Sequence, residues 1–344
     1  MAQNGRIRVA VDAMGGDYAP GEVVKGAMLA AQKDDVEIFL VGVPDVLEKE
    51  LAEHRFTANG SPIHVVAASD FVKESESPVD VIRRKPNCSV AVAAKMVKAG
   101  KADALLSAGS SGAAAISAIQ YIGMLDGVYR PAIVGSLGSF ASNTVMVDLG
   151  ANVDCKPHQF VTFAIAGSVY AKKFLNITDP KIALLSTGSE ETKGSEAVRE
   201  AYALLKNSGL NFVGNIEGGD ILNGKANVIV CDGFVGNVLL KFYESIGSHA
   251  QAWTERKLKK HPPVRALAGL LFKRLFPATR ISGETEKQGG GILWGIDGVV
   301  KIAHGASRAP QIANAIESAK EAVKAGVVES LKLELAKLNQ GGKL

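Results

Sequence analysis

Short, β-branched apolar runs that break at glycine and hand over to helical patterns recur along this chain, and no other feature constrains its fold as tightly. The first is Ile7–Val11, followed by a helical pattern from about Gly21 to Gln32, the run Glu37–Val41 and a helix from Pro44. The rhythm returns at Ile63–Ala67, Ala104–Leu106, Ala132–Val134, Thr144–Val147, Lys181–Leu185 and Asn211–Ile216, with helices expected over 89–99, from Ser110, over 157–174 and over 195–206. Such alternation predicts an α/β fold with a largely parallel sheet between helical layers. The longest helical pattern, 237–260, stops at Pro262-Pro263, and a second helix is expected over 264–276. Two short strands, 292–294 and 299–302, and two amphipathic helices complete the chain. No linker-like composition and no tandem repeat divides residues 1–344, so one α/β/α domain is expected, with a protruding amphipathic helical hairpin at about 247–282.

An apolar content of 47% over 344 residues, with 22% charged, allows a large core and excludes a disordered chain. Cys88, Cys155 and Cys231 lack C-x-x-C spacing, which argues against a disulfide framework or zinc site and for a reducing compartment. Met1–Gly5 is too short and polar for a signal peptide, so a cytoplasmic location is expected. Residues 104–125 are uncharged, but serines and glycines interrupt them, which reads as strand, turn and buried helix rather than a membrane span.

Three turns at strand ends carry the chemistry. Asp12-Ala-Met-Gly-Gly-Asp17 sets two carboxylates around Gly15-Gly16, at the end of a parallel strand where such sheets bind ligands. Ser107-Ala-Gly-Ser-Ser-Gly112 offers small residues for close backbone approach and hydroxyls for phosphate oxygens. Cys231-Asp-Gly-Phe-Val-Gly-Asn237 ends an apolar run and delivers Gly236 and Asn237 to an expected helix start, where unpaired amides favour an anion or oxyanion. Asp232 and Asn237 are expected at its mouth. Lys193, in Glu191-Thr-Lys-Gly194, is presented at another strand end, and His304-Gly305 at a fourth. Neither G-x-G-x-x-G nor G-x-S-x-G occurs, and Gly219–Ala226 departs from a phosphate-binding loop because alanine replaces its Ser/Thr and a strand follows. The histidines lack metal-ligand spacing, so neither metal nor other cofactor is expected.

Taken in order, Asp12–Asp17, Ser107-Ala-Gly with Gly112-Ala113, Leu149-Gly-Ala-Asn152, Glu191–Gly194, Cys231–Asn237 and Gly298-Val-Val with His304-Gly305 closely resemble the bacterial phosphate acyltransferase (PlsX) family. The resemblance implies a three-layer α/β/α sandwich on a large mixed sheet, similar to isocitrate and isopropylmalate dehydrogenases, in a homodimer. It further implies transfer of a fatty acyl group from acyl carrier protein to inorganic phosphate, giving acyl phosphate for a downstream membrane glycerol-3-phosphate acyltransferase in phospholipid synthesis. Lys193 and Asn237 match the family positions carried over as catalytic. Asp12, Gly15, Gly16, Asp17, Ser107, Gly109, Ser110, Gly112, Asp232, Gly233 and His304 are the expected substrate-binding residues, the glycine turns serving the phosphate or pantetheine end. The chemistry fits, since phosphate is already an anionic nucleophile and thiolate a good leaving group, so positioning and oxyanion stabilisation suffice. An acidic carrier protein is expected to dock near Arg83, Arg84 and Lys95. A phosphotransacetylase-like use of acyl-CoA and a noncatalytic membrane scaffold are the rival readings.

Net charge is +4, yet residues 256–280 hold eight basic and no acidic side chains, leaving 31 basic against 35 acidic elsewhere. Positive charge confined in this way suits a local anionic partner rather than nucleic acid. Val264, Leu267, Leu271, Phe272 and Leu275 share one face of the second hairpin helix with basic residues at its margins, the pattern of a helix lying on an anionic membrane. A peripheral position on the inner face of the cell membrane is therefore expected. Flotation with anionic vesicles should recover the unmodified protein and lose Leu271→Glu/Leu275→Glu, and equal recovery of both would remove the membrane role of this face.

Overall fold

The computed structural model describes residues 5–33, 35–54, 62–73, 76–136, 141, 143–243, 245 and 289–340. Among these residues eleven strands form one sheet in the order β3-β2-β1-β4-β11-β10-β5-β6-β9-β7-β8. They are β1 (Ile7–Asp12), β2 (Val36–Gly42), β3 (Ile63–Ala67), β4 (Ala104–Ser107), β5 (Ala132–Ser136), β6 (Val145–Val147), β7 (Ile182–Leu185), β8 (Phe212–Ile216), β9 (Val228–Val230), β10 (Gly291–Trp294) and β11 (Val299–Ile302). The strands from β3 to β11 are parallel, the pairs β11/β10, β10/β5 and β5/β6 are antiparallel, and β6, β9, β7 and β8 are again parallel. Three reversals make the last four strands run opposite to the first five. A twist of about 20–25° per strand turns the direction by roughly 100–125° between β4 and β9, so their carboxyl ends diverge by roughly 55–80° instead of pointing directly apart.

Both faces of the sheet are covered, and the strand residues show it. Val9 and Val11 belong to one apolar cluster while Ala10 between them belongs to another, and Ala104, Leu105 and Leu106 divide in the same way. Ile229 is likewise separated from Val228 and Val230. This period-two division explains why the runs read as continuously apolar, since every residue has a core to enter. Helices α1 (Gly21–Ala31) and α2 (Pro44–Glu53) and the helix Ala309–Lys324 pack on the first face, and α4 (Ser89–Lys98) and α5 (Ser111–Ser117) on the second. Helix α6 (Pro157–Phe174) is buried at every residue from Gln159 to Ala171, as its lack of a polar face requires.

The uncharged segment 104–125 is β4, α5 and a π-helical turn Ala118–Ile122. No helix among the described residues is long and apolar enough to cross a membrane. The polar segment 69–87 contains a further short helix, α3 (Pro78–Arg84), hidden in the sequence because its length hardly exceeds the proline-led turn that starts it. The expected hairpin at 247–282, with Val264, Leu267, Leu271, Phe272 and Leu275, lies outside the described residues.

Lys301 is an unexpected tenant of β11, buried and without an acidic partner among the described residues. Its Nζ donates to Gly290 O at 2.6 Å and Ser318 Oγ at 3.0 Å, tying the entry of β10 to the helix Ala309–Lys324. Burial pulls its pKa from 10.5 down to about 7. Between these values the unfolded chain binds a proton that the folded chain does not, so this group adds stability as pH rises from about 7 towards 10.5. Thermal unfolding should therefore show a flatter pH dependence for Lys301→Met than for the unmodified protein over this window. Identical slopes would mean that Lys301 keeps its proton on folding.

Candidate active site

The expected residues fall into two groups on oppositely running strands. In the first, β1 and β4 pair so that Asp12 lies beside Ser107, both buried. Ser107 Oγ donates to Asp12 Oδ2 at 2.7 Å and accepts from Gly109 N at 3.1 Å. Gly15 and Gly109 touch through their backbones, where a Cβ on Gly109 would stand 3.1 Å from the Gly15 Cα. Gly16 has φ +118°, a conformation that side chains disfavour, and backs onto Gly305 O, which accepts from Asp17 N at 2.9 Å. Ser110 Oγ caps α5 by accepting from Ala113 N, and Gly112 abuts Pro78 of α3. The structure thus brings Asp12, Gly15, Gly16, Asp17, Ser107, Gly109, Ser110 and the 304–305 turn to one place. His304 is exposed and its Nδ1 accepts from Ala306 N at 3.1 Å, so this nitrogen closes its own turn.

The second group lies at the carboxyl ends of β6, β9 and β7. Here the expected helix start is corrected: the helix begins at Gly233 rather than Asn237. Asp232 is the reason, because its Oδ1 accepts from Val235 N at 2.8 Å and its carbonyl from Gly236 N at 3.0 Å, while Gly233 N donates to Asn152 O at 2.7 Å. Most of the first amides are therefore already paired, which removes the expected backbone oxyanion site and leaves the Asn237 side chain as the available donor. That amide is half-buried, forms no hydrogen bond among the described residues and rests on Gly150, where an added Cβ would stand 3.4 Å from the amide carbon and oxygen. Gly236 is required for a similar reason, since a side chain there would collide with Asp148 O.

Asp148, not singled out from the sequence, builds this contact. It is fully buried and accepts from Ile133 N, Gly150 N and Ala151 N through Oδ1 at 2.9, 3.2 and 3.1 Å. Through Oδ2 it accepts from Asn152 N and Nδ2 at 2.7 and 2.9 Å. Burial pushes its pKa up, while these donors favour the carboxylate. A charged residue closing the apolar run Val145–Val147, two positions before Gly150, was the signal available.

Lys193 is exposed, with its aliphatic stem along Gly188 and no partner for Nζ among the described residues. Its loop is held on both sides: Asn215 Nδ2 donates to Glu190 O at 2.8 Å, Arg199 to Gly194 O at 2.7 Å, and Tyr202 and Lys206 to Glu191 at 2.9 and 2.8 Å. Because β7 and β9 are parallel neighbours, Lys193 and Asn237 follow strands that end on the same edge. Burial pushes all three thiols up, Cys155 to about 12, which keeps them protonated and poorly nucleophilic. Arg83 and Arg84 are exposed, whereas Lys95 donates to Pro86 O at 2.6 Å and sits over the Tyr121 ring.

A family model described as "Fatty acid synthesis protein" matches residues 7–330. The chain belongs to this family. Phosphate acyltransferase of Thermosynechococcus vestitus is 44% identical over 329 residues, covering 95% of this chain and 94% of its own. Phosphate acyltransferase of Heliobacterium modesticaldum is 43% identical over 328 residues, with coverages of 94% and 96%. Among solved structures, a phosphotransacetylase from Streptococcus pyogenes aligns with TM-score 0.61 at 20% identity over 95% of each chain. The 4-hydroxythreonine-4-phosphate dehydrogenase from Klebsiella pneumoniae aligns with TM-score 0.51 at 13% identity over 92% and 98%. These two likenesses show the fold, the mixed-sheet dehydrogenase-like sandwich that the family resemblance implied, where the pattern of runs alone had predicted a largely parallel sheet. Family and relatives together make the chain an acyltransferase enzyme whose general chemistry is phosphate acyl transfer. Gly236→Ala should destabilise the protein by about 1–3 kcal/mol, the range for overpacking, and depress turnover as Asn237 shifts. An unchanged urea midpoint with unchanged turnover would show that the Asp148–Gly236 contact is dispensable.

Proposed function

We propose that the enzyme transfers a fatty acyl group from acyl carrier protein to inorganic phosphate by direct attack, without an acyl-enzyme. The observation that carries this reading is the pair of unpartnered polar side chains, the Lys193 ammonium and the Asn237 amide, on one sheet edge whose nearby thiols are held protonated. A phosphate oxygen attacks the thioester carbon, the carbonyl becomes an oxyanion, and its collapse expels the thiolate. Lys193 neutralises and orients the phosphate, and Asn237 Nδ2 donates to the oxyanion. Both act most strongly where charge is redistributed. Neither a protein nucleophile nor a strong base is needed, because phosphate arrives ionised. Use of acyl-CoA is the second reading, favoured by the fold shared with the S. pyogenes phosphotransacetylase.

The product is a hydrolysable anhydride with an apolar tail, which suits delivery at a membrane surface to a glycerol-3-phosphate acyltransferase of phospholipid synthesis. In this reading the 247–282 hairpin of each copy in a homodimer rests on anionic lipid, and Arg83, Arg84 and Lys95 face the acidic carrier. Product is trapped as hydroxamate after mixing enzyme and phosphate with acyl-carrier-protein thioester or acyl-CoA. Product from the carrier thioester is expected, and product from acyl-CoA alone would select the second reading. Lys193→Ala and Asn237→Ala should each lower turnover ~100- to 1000-fold. Near-normal turnover in either folded variant would overturn its assignment.

A further inference from the structure

Within the acyl-transfer reading, on which this inference rests, the helix that bears Asn237 carries more apolar surface than its own packing uses. Val235, Leu239 and Leu240 already pack against the cluster that holds Met146 of β6 and Ile229 of β9. Phe234, Val238 and Phe242 do not: they are 60%, 52% and 62% exposed, and the two aromatic ones are the only exposed phenylalanines among the described residues. Their spacing of four sets them in one row along the helix, and Gly233, Asn237 and Lys241 form the row beside it. Phe234 stands three residues before Asn237, a spacing that makes side chains neighbours. The groove between the rows leads from the Asn237 amide past Lys241 to Phe242, a rise of about 7.5 Å at about 1.5 Å per residue. Apolar residues scattered singly over a surface are ordinary, but three in a row beside a catalytic amide are not scattered.

The occupant follows from what the reacting carbonyl is bonded to. An acyl chain begins at the carbon whose oxygen faces Asn237 Nδ2, so its first carbons lie on whatever surface adjoins that amide. A second copy of the chain seated on this row would cover Asn237 as well and shut out the thioester. An acidic carrier protein would find no cation in the row itself. We propose that Phe234, Val238 and Phe242 bind the acyl chain of the thioester and set a preference for longer chains over short ones. The first carbons lie beside Phe234 and Val238, and the chain runs on towards Phe242, because in the other direction the helix ends within a turn at Gly233. Roughly six carbon–carbon bonds of about 1.5 Å, laid in zigzag, span the rise from Asn237 to Phe242, so an octanoyl chain reaches that ring and a butyryl chain does not.

The test compares butyryl and octanoyl thioesters of acyl carrier protein on the full-length enzyme with saturating phosphate, read as hydroxamate; the same acyl groups on coenzyme A serve if the carrier thioesters give no product. In the unmodified enzyme kcat/KM should be about tenfold higher for octanoyl, the effect of four methylenes each covered on one side. Phe242→Gln should reduce this ratio to about twofold, whereas Leu333→Gln, which removes an equally exposed apolar side chain from the C-terminal helix, should leave it at about tenfold. No preference in the unmodified enzyme, an equal loss for both substrates in Phe242→Gln, or an equal fall of the ratio in Leu333→Gln would overturn the proposal. So would an unchanged ratio in Phe242→Gln together with dissociation of a dimer in sedimentation, which would give the row to a second copy. If Phe242→Gln does not fold, Val238→Ser is measured in its place against the same outcomes. Unmodified enzyme that forms no hydroxamate from any thioester would overturn the acyl-transfer reading itself, an outcome separate from these.

Discussion

The candidate site depends above all on one buried carboxylate. Asp148 closes β6 and gathers five donors from the start of β5 and the turn that follows it, so the turn can take up only a narrow set of shapes. Asn152 extends the hold, donating to Pro131 O at 2.8 Å and presenting its carbonyl to Gly233 N. The helix that bears Asn237 therefore starts against a surface made by Asp148. Hydrogen bonds to a buried charge contribute about 1.5–3 kcal/mol each, and losing the acceptor would leave several buried donors unpaired at once. Rigidity of this kind suits a group that must meet an oxyanion without first reorganising.

Strand reversal supplies the second constraint. A wholly parallel sheet would place every turn on one edge in a row, each neighbour about 4.8 Å from the next. Here β10 and β5 interrupt the sheet, and the twist brings two carboxyl ends into an oblique relation across those central strands. One end supplies a buried carboxyl and hydroxyls, the other a free ammonium and a free amide. The two ends therefore differ in the chemistry that they offer a ligand.

Much of this was legible in the chain. The apolar runs marked the strands because both faces of the sheet are buried, and the glycine turns marked their ends because backbones approach there, as at Gly15 and Gly109. Strand order was not legible, since Ile292–Trp294 and Ala132–Val134 look like any buried strand and nothing local records that they run antiparallel. The helix start was misplaced from Gly233 to Asn237 because Gly233 resembles a turn residue, while the decisive signal, Asp232 capping Val235, competes with its appeal as a ligand. Lys301 and Asp148 were missed for a shared reason. A charge inside or beside an apolar run is satisfied by carbonyls, hydroxyls or turn amides that the chain brings round only on folding, Gly290 and Ser318 for Lys301 and the 150–152 turn with Ile133 for Asp148, and local periodicity does not reveal them.

The free ammonium of Lys193 gains meaning from its neighbours. Within the same loop region Glu191 is paired with Lys206 and hydrogen-bonded to Tyr202, so the carboxylate of the motif is already engaged. An unpaired lysine on the surface is ordinary, because solvent satisfies it at little cost. Unlike such a lysine, this one stands on a loop held by Asn215 and Arg199, with its stem packed on Gly188. Holding the loop reduces the entropy lost when Nζ meets an anion, and keeping Glu191 paired limits competition for that charge. In the proposed reaction these two effects would suit Lys193 to hold phosphate without being buried, so that the dianion could enter and the acyl phosphate leave.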